Sequence, residues 1–289
     1  MIWPRIDQKT CFKSILTANL VPIVIEPIIQ SNYELSTNLE EIERQILLLG
    51  HENVLCVFST TSCFAPRAYD DIVDISKLCK NYNLFHVVNN AYGIYCGRIV
   101  DMLNQSVKVG NIDIIVSSTD KNFMVPVGGA LIYSSNSGMI EKIKNNYPGR
   151  ASLSSLIDLF ITLLEMGKKK FRFLIQDRKQ KFTQLKEAMI KLSEGFNERI
   201  LTNNNNKISI CMSLVNICKN AKDKKDITYL GSLFYKRQVS GIKIIAPSPT
   251  LKWNGYNFNN YGSHCQDFPI LPYCAFACAI GISEEEVKL

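Results

Sequence analysis

No C-x-x-C pair occurs among the ten cysteines of this 289-residue chain, and only three histidines accompany them. Tetrahedral zinc normally draws on two close ligand pairs, so no metal site is expected. Nor do cysteines at 11, 56, 63, 79, 96, 211, 218, 265, 274 and 278 read as a disulfide framework. Several sit in apolar runs such as Val54-Leu55-Cys56-Val57-Phe58, where a free thiol behaves as a small hydrophobe in a reducing compartment. Fifteen Gly and ten Pro are too few for a collagenous or low-complexity chain. Long apolar runs are missing too: the longest, 156–164, contains Asp158 and is under half a membrane span. Met1-Ile2-Trp3-Pro4-Arg5 has no charged segment leading into an apolar run. The expectation is a soluble, cytoplasmic protein with no membrane partner.

What is present is a chain 46% hydrophobic and 20% charged, enough to bury a large core. Its first half alternates β-rich runs with helical periodicity, the pattern of βα units around a parallel sheet. Strands are expected over 21–25, 54–58, 85–88 and 112–116, with a returning strand over 130–133. Helices are expected over 9–19, 70–80, 137–145 and 152–165. Thr37-Asn38-Leu39-Glu40 reads as a capping box ahead of Leu39, Ile42, Ile46 and Leu49, with Gly50 as the stop. A long helix over 168–196 carries an apolar stripe of Phe171, Leu174, Ile175, Phe182, Leu185 and Met189. After the polar break at Asn203 to Asn206, strands over 207–214 and 242–245 suggest a smaller α+β unit. The expected division is 1–166 and 167–289.

Three polar clusters follow the apolar strands: Ser59-Thr60-Thr61-Ser62, Asn89-Asn90-Ala91-Tyr92-Gly93 and Ser117-Ser118-Thr119-Asp120-Lys121. In open α/β sheets ligands collect beyond the carboxyl ends of strands, so these clusters mark one crest. Desolvation there would lower the pKa of Lys121 and make its amine a nucleophile able to form a Schiff base with an aldehyde cofactor. An exposed lysine at a strand end is the other reading of the position. Net charge is +7, and residues 168–199 hold ten basic against four acidic side chains. Such a segment attracts a phosphate backbone or is simply a solvated helix face.

Six blocks carry a resemblance to a known family. They are Trp3-Pro4-Arg5-Ile6-Asp7-Gln8-Lys9, Ser59-Thr60-Thr61-Ser62-Cys63-Phe64-Ala65-Pro66-Arg67, Val88-Asn89-Asn90-Ala91-Tyr92-Gly93, Asp120-Lys121-Asn122-Phe123-Met124-Val125-Pro126-Val127-Gly128-Gly129, Tyr147-Pro148-Gly149-Arg150-Ala151-Ser152 and Arg237-Gln238-Val239-Ser240-Gly241. In residue type and order they resemble the O-phosphoseryl-tRNA(Sec) selenium transferases. The resemblance implies an α/β, pyridoxal-phosphate-dependent transferase fold, aspartate-aminotransferase-like (fold type I), as a partial large domain plus a smaller α+β C-terminal domain. It further implies conversion of phosphoseryl-tRNA(Sec) to selenocysteinyl-tRNA(Sec) with selenophosphate, on a homotetramer in the family.

By motif, Lys121 would be the catalytic lysine and cofactor anchor. Asn89 would lie below the pyridine nitrogen, where many relatives of this fold carry Asp, and Gln8, Lys9 and Ala91 would join the cofactor pocket. Arg150 would meet the substrate phosphoryl group, and Lys108 and Arg237 would contact tRNA. The family's N-terminal portion and basic C-terminal helix have no counterpart in these residues, so a truncated chain is expected. A catalytically inactive remnant that binds tRNA or a partner is the alternative.

Overall fold

Val57 and Val88 are completely buried, as expected of strands covered on both faces. In the computed structural model they lie in a six-stranded sheet of order Ile23–Ile25, Ile2–Pro4, Cys56–Thr60, Phe85–Asn89, Ile114–Ser118 and Ala130–Tyr133. The first five strands run parallel and Ala130–Tyr133 returns antiparallel. The structure describes residues 1–289 except 32, 148, 151, 202–204, 240, 248–249 and 288–289. Pro148, Ala151, Ser240, Asn203 and Asn204 from the motifs above therefore lie outside the described residues.

Helices Lys9–Thr17 and Gly97–Val109 bury Phe12, Ile15, Ile99 and Leu103 against Trp3, Val88 and Ile115. Helices Leu39–Leu49 and Ile72–Asn81 bury Ile42, Ile46, Ile75 and Cys79 against Ile2, Ile25 and Val57. Three strands reach further than their apolar runs: Ser59 and Thr60, Asn89, and Ser117 and Ser118 are ladder residues rather than loop. The capping box is corrected as well. Asn38 caps Leu39–Leu49 by accepting from the Glu41 amide, while the Thr37 hydroxyl donates to Asp70 at 2.9 Å.

The C-terminal part contains an antiparallel sheet of order Ile242–Ile245, Tyr273–Ala277 and Ser209–Ser213, with helix Lys224–Lys236 touching it through Phe234 on Phe276. Tyr273–Ala277 has no sequence signal beyond a five-residue apolar run, yet it is the central strand. The helical run Ser154–Gly195 breaks at Gly167, whose φ of 60° and ψ of 168° are open to glycine. Beyond the break, Phe171, Leu174 and Ile175 pack on the large sheet's core, while Leu185 and Met189 pack with the small sheet. One amphipathic stripe thus joins both cores.

A buried ionic cluster fastens the C-terminal part beside the end of Ile2–Pro4. Arg5 pairs with Asp7 at 2.9 Å and with Glu26 at 2.8 Å, and Asp7 accepts from the amides of Gly262 and His264 at 2.7 and 2.8 Å. Arg67 and Asp70, both fully buried, pair below the crest at 2.5 Å.

Candidate active site

Parallel register sets Asn89 between Thr60 and Val116 on the neighbouring strands, so the carboxyl ends of the central strands form one edge. The Asn89 carbonyl accepts from the Ala91 amide at 3.1 Å, which fixes the orientation of the carboxamide because only oxygen can accept there. Its NH2 then faces Cys11 Sγ at 3.1 Å, and the Cys11 thiol donates to Gln8 Oε1 at 3.4 Å. Burial pushes the Cys11 thiol up to about 11, against the hydrogen bond from Asn89, so it is a neutral donor and not a thiolate.

On the next strand the Ser118 amide donates to the Ala91 carbonyl at 3.0 Å. Asn122 donates to that carbonyl at 2.8 Å and accepts from the Ile94 amide, pinning the short helix Thr119–Phe123 to the Asn89 turn. Lys121, on this helix, donates from Nζ to Ser118 Oγ at 3.2 Å and to Asp120 Oδ2 at 3.1 Å. Burial works to raise the Asp120 carboxyl, but hydrogen bonds from Ser118 and Lys121 outweigh it and hold it below the ordinary carboxylate value. Hydrogen bonds therefore run from Gln8 through Cys11, Asn89, Ala91 and Ser118 to Lys121. Lys9 opens helix Lys9–Thr17 beside Gln8 with its side chain exposed.

Behind this edge lies a buried polar layer. Thr61 donates to Asn90 at 2.6 Å, Asn90 donates to Tyr133 at 3.0 Å, and Ser117 shares a hydrogen bond with Tyr133 at 3.0 Å. Thr119 Oγ1 is buried there with no partner among the described residues, two positions before Lys121. A Cβ on Gly129 would come within 2.6 Å of that oxygen, so only glycine leaves the space open.

The remaining expected site residues are not part of this hydrogen-bonded group. Arg150 is exposed on the segment before Ser154–Gly195. Lys108 lies in the last turn of Gly97–Val109, which runs back from the crest, so it sits toward the opposite end of the parallel sheet. Arg237 ends helix Lys224–Lys236 in the C-terminal part. The desolvation expected at Lys121 is also absent: its side chain is 45% exposed and ion-paired. In the basic stretch, Arg178 is buried over the Tyr95 ring and donates to the Lys207 carbonyl, and Lys181 pairs with Asp177 at 2.7 Å. Both side chains thus make contacts within the fold. Cys11, Ser118, Asp120 and Thr119 had no assigned role from sequence, although the last three adjoin Lys121 in one polar cluster. Among the described residues no group of three or more His, Cys, Asp or Glu could hold a metal ion, and no helix is long and apolar enough to cross a membrane.

Comparison with known proteins bears on the family and the fold. A family model described as O-phosphoseryl-tRNA(Sec) selenium transferase matches residues 1–289. The chain belongs to this family. A relative of that name from Dictyostelium discoideum is 45% identical over 300 aligned positions, covering 99% of this chain and 62% of its own length. The crystal structure of an archaeal O-phosphoseryl-tRNA(Sec) selenium transferase superposes with a TM-score of 0.86 at 27% identity, over 99% of this chain and 61% of that one. Oryza sativa TDC, solved with PLP and tryptamine, gives a TM-score of 0.65 at 12% identity, covering 99% of this chain and 58% of its own, a likeness of fold alone. The fold is that of the fold type I transferases, represented by part of the large domain with its mainly parallel sheet. The chain spans about three fifths of the length of the curated relatives it matches.

Proposed function

We propose that this chain carries the cofactor site of a pyridoxal-phosphate-dependent selenium transferase, and that the whole protein converts O-phosphoseryl-tRNA(Sec) to selenocysteinyl-tRNA(Sec) with selenophosphate. The observation that carries the reading is the line of hydrogen bonds from Gln8 to Lys121, which sets an amine and a neutral carboxamide on adjacent strand ends. The donor set fits the cofactor: Lys121 offers an amine to an aldehyde, Asn89 an N–H to a ring nitrogen, and Thr119 an unpartnered hydroxyl. Gln8, Lys9 and Ala91 complete the proposed pocket.

Pyridoxal phosphate, when bound, supplies an aldehyde that bonds to an amine and a ring that withdraws electrons from the substrate Cα. Asn89 has its carbonyl committed to Ala91, so it has only N–H to give, and it favours an unprotonated, milder ring. That suits a substrate whose phosphate leaves readily. The Lys121 amine is the group at hand to take the substrate proton, and Asp120 at 3.1 Å stabilises the ammonium that results. Arg150 is the proposed phosphoryl contact, since a guanidinium can donate two parallel hydrogen bonds to phosphate oxygens. Lys108 and Arg237 are proposed tRNA contacts, with residues 1–166 and 167–289 as the two units. A cytoplasmic homotetramer is the proposed state of the whole protein. The apolar side chains of Leu156, Phe160, Ile161 and Leu164, each more than half exposed, support an assembly that covers them.

The test is conversion itself. With pyridoxal phosphate and selenophosphate, phosphoseryl-tRNA should yield selenocysteinyl-tRNA, and Arg150→Ala should weaken phosphoserine-type ligands at least about tenfold while sparing cofactor affinity. Retention of tRNA without any conversion would favour a binding remnant. Equal losses of ligand and cofactor would remove Arg150 from its role.

Thr119→Val offers a separate check on the cofactor fit. Replacing a buried unpartnered hydroxyl with a methyl should stabilise the cofactor-free chain by about 1 kcal/mol in urea unfolding and weaken cofactor binding. A destabilised variant would mean that the hydroxyl has a partner in the folded chain.

A further inference from the structure

A cavity that Lys121 does not line opens between the N-terminus of helix Gly97–Val109, the basic half of the long helix and the segment entering Ser209–Ser213. Its volume is about 670 Å³, within the range of small-molecule sites. Five cationic side chains line it, Arg98, Arg178, Lys179, Lys186 and Lys207, and among the described residues no carboxylate does. That imbalance is unusual in a chain whose other buried cations, Arg5 and Arg67, are paired with acids.

Arg178 supplies the observation that points to a ligand. It is 4% exposed, stacks on Tyr95 at 5.2 Å and spends Nη1 on the Lys207 carbonyl, yet its Nε is buried with no partner among the described residues. A guanidinium in a protein interior without a carboxylate partner is costly, and an anion in the cavity it lines would offset its charge. The helix end strengthens the site: Cys96 provides no side-chain cap, the first turn holds no acidic residue, and a Cβ on Gly97 would meet nothing within 4 Å. Exposed amides and the positive end of the helix dipole therefore face the same space. Burial lowers the Lys207 ammonium, and the charges of Arg98 and Lys186 lower it further, the signature of cations gathered without a counter-charge. Ile175 and Phe182 give the cavity an apolar wall beside its charged one.

We propose that this cavity binds a phosphate-bearing anion of nucleotide size, with its phosphate held by Arg178, Lys186, Lys207 and the Gly97 end of the helix. The phosphate would come either from a free nucleotide or oligophosphate or from the backbone of an RNA. The proposal is independent of the reading of the Lys121 crest.

Calorimetric titration of the full chain with pyrophosphate, with a nucleoside diphosphate and with a short single-stranded RNA tests it. At least one probe should bind at about 1 mM or tighter. Lys186→Gln and Lys207→Gln should each weaken that binding about tenfold or more, whereas Lys142→Gln on a separate helix leaves it unchanged and thermal unfolding shows both variants folded. RNA binding that the two substitutions weaken and pyrophosphate displaces identifies a backbone phosphate as the source. Binding of the small anions with no effect on RNA identifies a free one. Either supports the site. Binding of none of the three probes, or binding indifferent to both substitutions, overturns the proposal.

Discussion

Alanine at position 121 is expected to abolish the covalent capture of pyridoxal phosphate by borohydride, read as the complete loss of a pyridoxyl adduct in peptide mass spectrometry. Reduction can fix the aldehyde only to the amine it is bonded to, so the adduct reports one side chain. Lys121→Arg should lose it equally, since a guanidinium keeps the charge but does not form the bond. Neither change should unfold the chain. The Lys121 side chain is 45% exposed, and an exposed pair such as Lys121 with Asp120 contributes about 0–1 kcal/mol. Asp120→Asn should retain the adduct, because Ser118 still accepts from the amine at 3.2 Å. An undiminished adduct in Lys121→Ala, carried for example on Lys9, would remove Lys121 from the centre of the reading.

Acid should destabilise this protein well above the range in which carboxylates titrate. His86 is fully buried between Ser59 and Asn111, and burial lowers it from 6.5 to about 4. His264 accepts from the Asp7 amide at 2.8 Å, and burial, with Lys243 next, lowers it to about 3. Both histidines thus stay neutral in the fold and gain protons in the unfolded chain. The unfolded state binds more protons below pH 6.5, so stability is full above that value and falls as pH drops toward the folded-state values.

Each histidine contributes up to about 1.4 kcal/mol per pH unit, so together they remove about 3 kcal/mol between pH 6.5 and pH 5. Burial raises the Asp71 and Asp113 carboxyls, which take up protons first in the folded chain and offset part of the loss. The depressed Asp7, whose burial is outweighed by His264 and Arg5, adds to the loss only at lower pH. Urea unfolding at pH 7 and pH 5 measures the difference, and His86→Asn should reduce its slope by about half. Equal stability at the two values would mean that neither imidazole is held neutral by the fold.

The parallel sheet was legible because its strands are mostly apolar on both faces: Val57 sits in an unbroken run, and the runs of Val88 and Ile115 are interrupted only by His86 and Asp113. Strand Ile2–Pro4 escaped notice because three residues ending in proline have no measurable period. The position of Lys121 at the rim followed from the run before it, but its exposure did not, since whether Asp120 and Ser118 face the amine is decided by the short helix Thr119–Phe123. Cys11 looked like any apolar cysteine. Its contact with Asn89 spans 78 positions, a separation that local pattern does not carry. The basic helix was misread in part for the same reason: Arg178 has the charge of a surface residue, and only Tyr95 and Lys207, brought in from elsewhere, make it an interior one.

Asp7 has a mechanical implication. It grips the amides of Gly262 and His264 while its chain neighbour, Gln8, begins the row of contacts that ends at the amine. A displacement of the C-terminal part would be transmitted through one peptide bond to the rim, so whatever docks on that part has a short lever on the chemistry.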